Sequence, residues 1–184
     1  MNILALDLSK RSTGWAVWPE GADKPRFGHW QLGSAYTSDG RTYAKLHECL
    51  MDLRALVRFE LVYFEDPINP AQLSGHTNID TLRVLAGLAA HTESYCAAVK
   101  GVRRVERINI SSWRRDFIGK QKRGTKRQTL KDLTIERCRQ LGFNPSRDDE
   151  ADALGICDYA CTLNGIVPPW RKGEVLRPML SGAR

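Results

Sequence analysis

The chain opens on an apolar run, Ile3-Leu4-Ala5-Leu6, that ends in Asp7. Short, continuously apolar and bounded by turn residues, it has the pattern of a strand covered on both faces. Ser9 to Gly14 reads as a turn and Trp15 to Trp18 as the start of a second strand, so residues 2–8 and 13–18 are predicted as a hairpin. Arg26 to Leu32 alternates loosely after the Asp23-Lys24-Pro25 turn and is assigned as a third antiparallel strand. From Thr42 the period changes. Leu46, Cys49, Leu50, Leu53, Leu56 and Val57 recur at three- and four-residue steps, the mark of an amphipathic helix. Leu61-Val62-Tyr63-Phe64 is again a short buried strand, closed by Glu65-Asp66-Pro67 because proline cannot donate to a ladder. A loop from Pro67 to Gly75 leads to a second helix, Thr77 to about Val99, with Leu82, Leu85, Ala86, Ala89 and Cys96 on one face. Val102 to Ile110 is a fifth strand, polar for one, and Ser111-Ser112-Trp113 starts a short helical turn. Gly119 to Gly124 is a basic loop, and Thr125 to Leu141 a helix closed by Gly142. After Asn144-Pro145-Ser146, Asp148 to about Leu163 is the last helix. Residues 165–184 have no periodicity and are read as a surface-lying or disordered tail, leaving 1–164 as one domain.

Three antiparallel strands followed by alternating helices and strands imply an α/β fold, a mixed five-stranded sheet covered by helices. The apolar and charged fractions, 42% and 27%, are those of an ordinary globular protein, and no apolar run approaches a membrane span. No basic region precedes an apolar segment near the start, so no signal peptide is expected. The five cysteines are scattered and none has zinc spacing, which points to reduced thiols and a cytoplasmic location. A net charge of +7 suits a polyanionic partner.

The acids carry the candidate chemistry. A carboxylate at the end of a buried strand, as at Asp7, costs free energy unless charge or hydrogen bonds compensate it. Capping of the turn backbone is one account of Asp7; a metal ligand is the other. If the strand ending in Glu65 lies beside the first and parallel to it, both acids emerge at the end of the sheet where ligands of open α/β sheets bind. In Asp148-Asp149-Glu150-Ala151-Asp152-Ala153-Leu154, Asp149 and Asp152 share a helical face, as do Asp148 and Asp152. Acids in a first turn suit the helix dipole, which accounts for Asp148. It does not account for Asp152 among alanines and leucine. Converging carboxylates repel, by roughly 4 kcal/mol for a pair at 4 Å and an effective dielectric near 20. Divalent cations remove that cost, and an all-oxygen set without histidine or thiolate favours Mg²⁺ or Mn²⁺. Two such ions roughly 3.5–4 Å apart form the clamp for in-line phosphodiester cleavage.

The hairpin of Asp7 with Gly14, the strand ending in Glu65, and Asp149-Glu150-Ala151-Asp152-Ala153-Leu154 together resemble the RuvC-type Holliday junction resolvases over about residues 2–163. The element order is also that of the ribonuclease H-like superfamily. The resemblance implies a homodimer that cuts branched DNA with Mg²⁺ or Mn²⁺, and metal ligands at Asp7, Glu65, Asp149 and Asp152. Three positions after Glu65 the bacterial members tend to carry an aromatic residue that stacks at the junction; Ile68 stands there instead. That departure and the tail are more similar to a bacteriophage version. The actin and sugar-kinase nucleotide binders open on a similar strand-turn-strand, but they need a second half with its own phosphate loop, and this chain has no repeat. A non-catalytic DNA binder of the same fold is a third reading, against which all four acids stand. The YqgF-type proteins share the opening strand and turn, but the acids fit the resolvases better.

Between Arg103 and Lys131 basic residues greatly outnumber acidic ones. A charge run is ordinarily a solvated face. Here it holds most of the net charge on a glycine-flanked loop next to the acidic helix, which favours contact with DNA phosphates by Arg114, Arg115, Lys120, Lys122, Arg123, Lys126 and Arg127. Trp113 is a candidate for stacking on a base, although a tryptophan at a helix start is more often packed. His29, His47, His76 and His91 have no partner at ligand spacing; His76 is the one placed to approach Glu65. Cys157 and Cys161, four apart, read as core. The small residues Gly87, Ala89 and Ala90 make the second helix the first choice for a dimer surface.

Overall fold

The computed structural model describes residues 1–66 and 79–175. Ile68, His76 and the part of the tail beyond residue 175 lie outside the described residues. One mixed sheet organises the chain, with strand order β3-β2-β1-β4-β5. β1 (Ile3–Asp7), β2 (Thr13–Trp18) and β3 (Arg26–Trp30) are antiparallel; β4 (Leu61–Glu65) and β5 (Arg104–Ile108) run parallel to β1. β1 lies at the centre, as its unbroken apolar run requires.

Alternation along the strands sorts the core into two clusters. Leu4, Leu6, Val17, Val62 and Phe64 face α1 (Asp39–Leu56) and α2 (Ile79–Ala98). Ile3, Ala5, Ala16, Trp18, Leu61 and Tyr63 face α3 (Ile110–Ile118), α4 (Arg127–Gln140) and α5 (Asp148–Leu163). α5 is buried nearly all round, from Glu150 through Cys161, because the sheet covers one side and α3 and α4 the other. Gly155 allows this: a Cβ there would stand 2.6 Å from the Trp113 ring. Cys157 and Cys161 are buried and unbridged in this helix.

The element boundaries shift where the local signal is not hydrophobic. α1 begins at Asp39, ahead of the first apolar repeat, because the Ser38 side chain caps it. α3 is a nine-residue helix rather than a turn; Asn109 caps it and the i, i+4 pair Trp113 and Phe117 is buried. β5 is shorter than the pattern suggests and lies at the sheet edge, which explains its polarity. Past Asn164 the chain forms a 3-10 turn, Pro169–Arg171, and a short helix α6, Lys172–Val175. Trp170 packs edge-on against Trp18 and Phe143 and donates its indole N–H to the buried Asp158 at 2.7 Å. Arg171 also binds Asp158, so residues 169–171 are tied to α5. Among the described residues no helix is long and apolar enough to cross a membrane.

Candidate metal and nucleic-acid site

Parallel pairing of β1 and β4 aligns Leu6 with Phe64, so Asp7 and Glu65, the next residues on each strand, leave the same end of the sheet. Their strands are neighbours, about 4.8 Å apart. Both side chains alternate onto the face that α5 covers. Gly14, opposite Asp7 on β2, brings α5 in. It is a strand residue without a left-handed φ, not the turn glycine of the hairpin reading. A Cβ on it would stand 1.9 Å from the Asp149 carbonyl oxygen, so the helix backbone rests directly on the strand.

The electrostatics follow from this convergence. Burial, then the charges of Asp152, Glu65 and Asp149, push the Asp7 carboxyl well above its ordinary range, while Arg114 acts against them. Burial pushes Glu65 up to about 7 against the pull of Arg114, the Trp113 indole N–H that it accepts at 3.1 Å, and Arg127. Burial likewise raises Asp152 to about 6, although Arg114 donates to its Oδ2 at 2.9 Å. Its Oδ1 is buried and, among the described residues, has no hydrogen-bond partner. Asp148 and Glu150, also on α5, are engaged elsewhere. Asp148 pairs with Lys131. Glu150 accepts from Ser146 N–H and Oγ–H and bonds His29 Nδ1 at 2.8 Å, which ties the start of α5 to β3.

Among the described residues no three carboxylate, imidazole or thiol side chains are close enough as they stand to hold an ion. The donor set nevertheless fits a hard divalent cation. It is all oxygen, it carries an excess of negative charge around Asp7, and it presents the unpartnered Asp152 Oδ1.

The basic residues divide. Arg103, Arg104 and Arg107 pair with Glu60, Glu106 and Glu93. Arg115, Lys120, Lys122, Arg123, Lys126 and Arg127 are exposed. None of these six has an ion-pair partner among the described residues. Arg114 departs from the expectation of a solvent-facing phosphate contact. α3 directs it inward, where it bonds Asp152 and its charge acts on Asp7 and Glu65 as well. Trp113 is fully buried and holds Glu65, so it packs and is closed to base stacking. His47 and His91, four residues from Tyr43 and Tyr95 on α1 and α2, bond each other at 3.2 Å, away from the acids. Neither this pair nor the His29–Glu150 contact has a sequence signal, because each joins elements far apart in the chain.

No protein-family model and no curated protein matches the sequence. Solved structures match over most of the chain. Thermus thermophilus RuvC aligns with a TM-score of 0.60 at 17% identity, covering 92% of this chain and 99% of that one. The fold is that of the RuvC-type resolvases. The same Thermus enzyme in complex with a Holliday junction substrate gives a TM-score of 0.63 at 12% identity, over 90% of this chain and 96% of that one. The yeast mitochondrial Holliday junction resolvase Ydc2 gives 0.56 at 12% identity, over 84% and 75%. In this chain the shared fold is a mixed sheet of three antiparallel and two parallel strands, the ribonuclease H-like arrangement.

Proposed function

We propose that this chain is a divalent-metal-dependent endonuclease that hydrolyses phosphodiester bonds in branched DNA, four-way junctions foremost, as a homodimer. The observation that carries the reading is the meeting of Asp7 and Glu65, at the ends of adjacent parallel strands, with Asp149 and Asp152 on the helix above them. The RuvC-type fold and the junction-bound Thermus structure support the choice of substrate. Asp7, Glu65, Asp149 and Asp152 would hold Mg²⁺ or Mn²⁺, in a pair by the two-metal scheme. Bound there, the ions supply a nucleophilic water at neutral pH and charge stabilisation for the leaving oxygen.

The chain's own residues do the rest. Gly14 and the His29–Glu150 bond fix α5 over the sheet and so fix Asp149 and Asp152 against Asp7. Trp113 orients Glu65 through its indole N–H. Arg115, Lys120, Lys122, Arg123, Lys126 and Arg127 offer a path for DNA phosphates next to the acids, with Arg127 near enough to Glu65 to act on its charge. A two-fold dimer would supply the two sites that symmetric nicking of a four-way junction needs.

The test is cleavage of synthetic four-way, three-way, flap and linear duplex DNA in Mg²⁺ and in Mn²⁺. Branched substrates are cut with either ion and not in chelator, and Asp7→Asn binds them without cutting. A wild-type protein that binds junctions but cuts none of them is a structural DNA binder instead.

A further inference from the structure

The acidic cluster already contains a cation. Arg114 donates from Nη2 to Asp152 Oδ2 at 2.9 Å, and both side chains are largely buried, with 15% and 9% exposed. Its guanidinium carbon lies 4.9 Å from the centre of the Trp113 ring, whose indole N–H holds Glu65. Its charge acts on Asp7, Glu65 and Asp152 alike. The pairing is nevertheless incomplete. Strong arginine–carboxylate pairs are bidentate. Here Arg114 Nε and Asp152 Oδ1 are both buried without a hydrogen-bond partner among the described residues. One guanidinium also has to serve Asp7, Glu65 and Asp152 together.

From this geometry we propose that Arg114 is a resident counter-ion of the acidic cluster that a divalent cation displaces, so that metal entry releases the guanidinium. The proposal rests on the metal-site reading above and adds to it how loading is controlled. A dication binding at Asp152 Oδ1 and its neighbours brings twice the charge and satisfies the oxygen that Arg114 leaves bare. The guanidinium then becomes surplus in the cluster. Its long side chain, midway along α3 and next to the exposed Arg115, can turn outward toward the path of the phosphates. The buried resident charge thus keeps the metal-free fold together and holds the affinity for free metal down.

Two measurements decide this. In the first, Mn²⁺ binding to the DNA-free protein is followed by titration calorimetry for wild type, Arg114→Gln and Arg114→Lys. Removing a competing cation tightens binding, so Arg114→Gln lowers the Kd by at least about tenfold, the equivalent of about 1.4 kcal/mol. Arg114→Lys falls between the two. Metal-free Arg114→Gln also melts lower than wild type, and saturating Mn²⁺ closes the gap. A Kd that is unchanged means Arg114 is only a phosphate contact, and a weaker one means it only positions Asp152; either overturns the proposal. If wild type and Arg114→Gln both bind no Mn²⁺, the metal-site reading itself falls and takes the proposal with it. The second measurement needs no folded variant. In ¹⁵N-labelled wild type the Arg114 Nε–H exchanges slowly without metal and becomes fast-exchanging when Mg²⁺ saturates the site. A proton that stays protected at saturation contradicts displacement.

Discussion

Gly14→Ala is the smallest change that should pull the candidate site apart. It adds one methyl group at a strand position where φ is ordinary, so no backbone strain enters. The methyl carbon would stand 1.9 Å from the Asp149 carbonyl oxygen and 2.4 Å from its carbon. That is about 1.5 Å inside ordinary van der Waals separation, which begins near 3.4 Å. Neither partner can yield by rotating a side chain, since one is β2 and the other is the first turn of α5. The helix must lift from the sheet. Overpacking of this kind costs about 1–3 kcal/mol, and a backbone-to-backbone collision belongs at the top of that range. For a chain of this size about 3 kcal/mol lowers Tm by roughly 6–12 °C. Asp149 and Asp152 move away from Asp7 by about an ångström, enough to cost about a hundredfold in cleavage rate. Binding of junction DNA stays near wild type because the exposed basic residues lie on another segment. The assay pairs a melting curve with single-turnover cleavage in Mn²⁺. Gly40→Ala, in the first turn of α1 with nothing within 4 Å of the new carbon, is the control: it leaves cleavage unchanged and does not lower Tm, since alanine is the better helix former. A Gly14→Ala protein with wild-type Tm and cleavage would refute the claim that this close approach sets the position of α5.

Two further outcomes follow from the charges. Replacing Lys120, Lys122 and Arg123 together by alanine weakens binding to junction and duplex alike, and each phosphate left unneutralised lowers the slope of log K against log salt by about 0.9; unchanged affinity and slope would make the loop a solvated face. The second concerns pH. Glu65 is raised from 4.5 to about 7 in the folded chain, so between those values the folded state keeps a proton that the unfolded state has released. Metal-free stability therefore falls as pH rises through that window, and Asp152, raised to about 6, acts in the same direction. Asp148, Glu150 and Glu174, held below their usual range, act at lower pH and leave the window clear. Glu65→Gln removes that residue's share of the penalty, so its gain in Tm over wild type grows from about pH 4.5 to pH 7; a gain that is flat with pH contradicts the raised Glu65.

The fold was legible because its strands and long helices announce themselves by hydrophobic period. The apolar run before Asp7 requires a central strand, and the alternation of Leu4 and Leu6 with Ile3 and Ala5 then assigns the two faces. Asp7 and Glu65 were legible as a pair because parallel strands deliver their last residues to one end. What the pattern hides depends on the meeting of distant segments. Gly14 reads as a turn glycine until α5 is seen resting on it. Arg114 reads as one of a run of basic residues, since nothing in its neighbours says that α3 turns it toward Asp152. The His29–Glu150 bond spans β3 and α5, and only the three-dimensional pairing brings those residues together.

The central claim is that Asp7, Glu65, Asp149 and Asp152 hold the divalent cations on which cleavage depends. Anomalous scattering from a crystal grown with Mn²⁺ tests it most directly. Manganese peaks bounded by these four carboxylates are expected, with Asp152 Oδ1 among the ligands, and their loss in Asp7→Asn. Manganese bound elsewhere, with the four acids unliganded at saturating Mn²⁺, would contradict it.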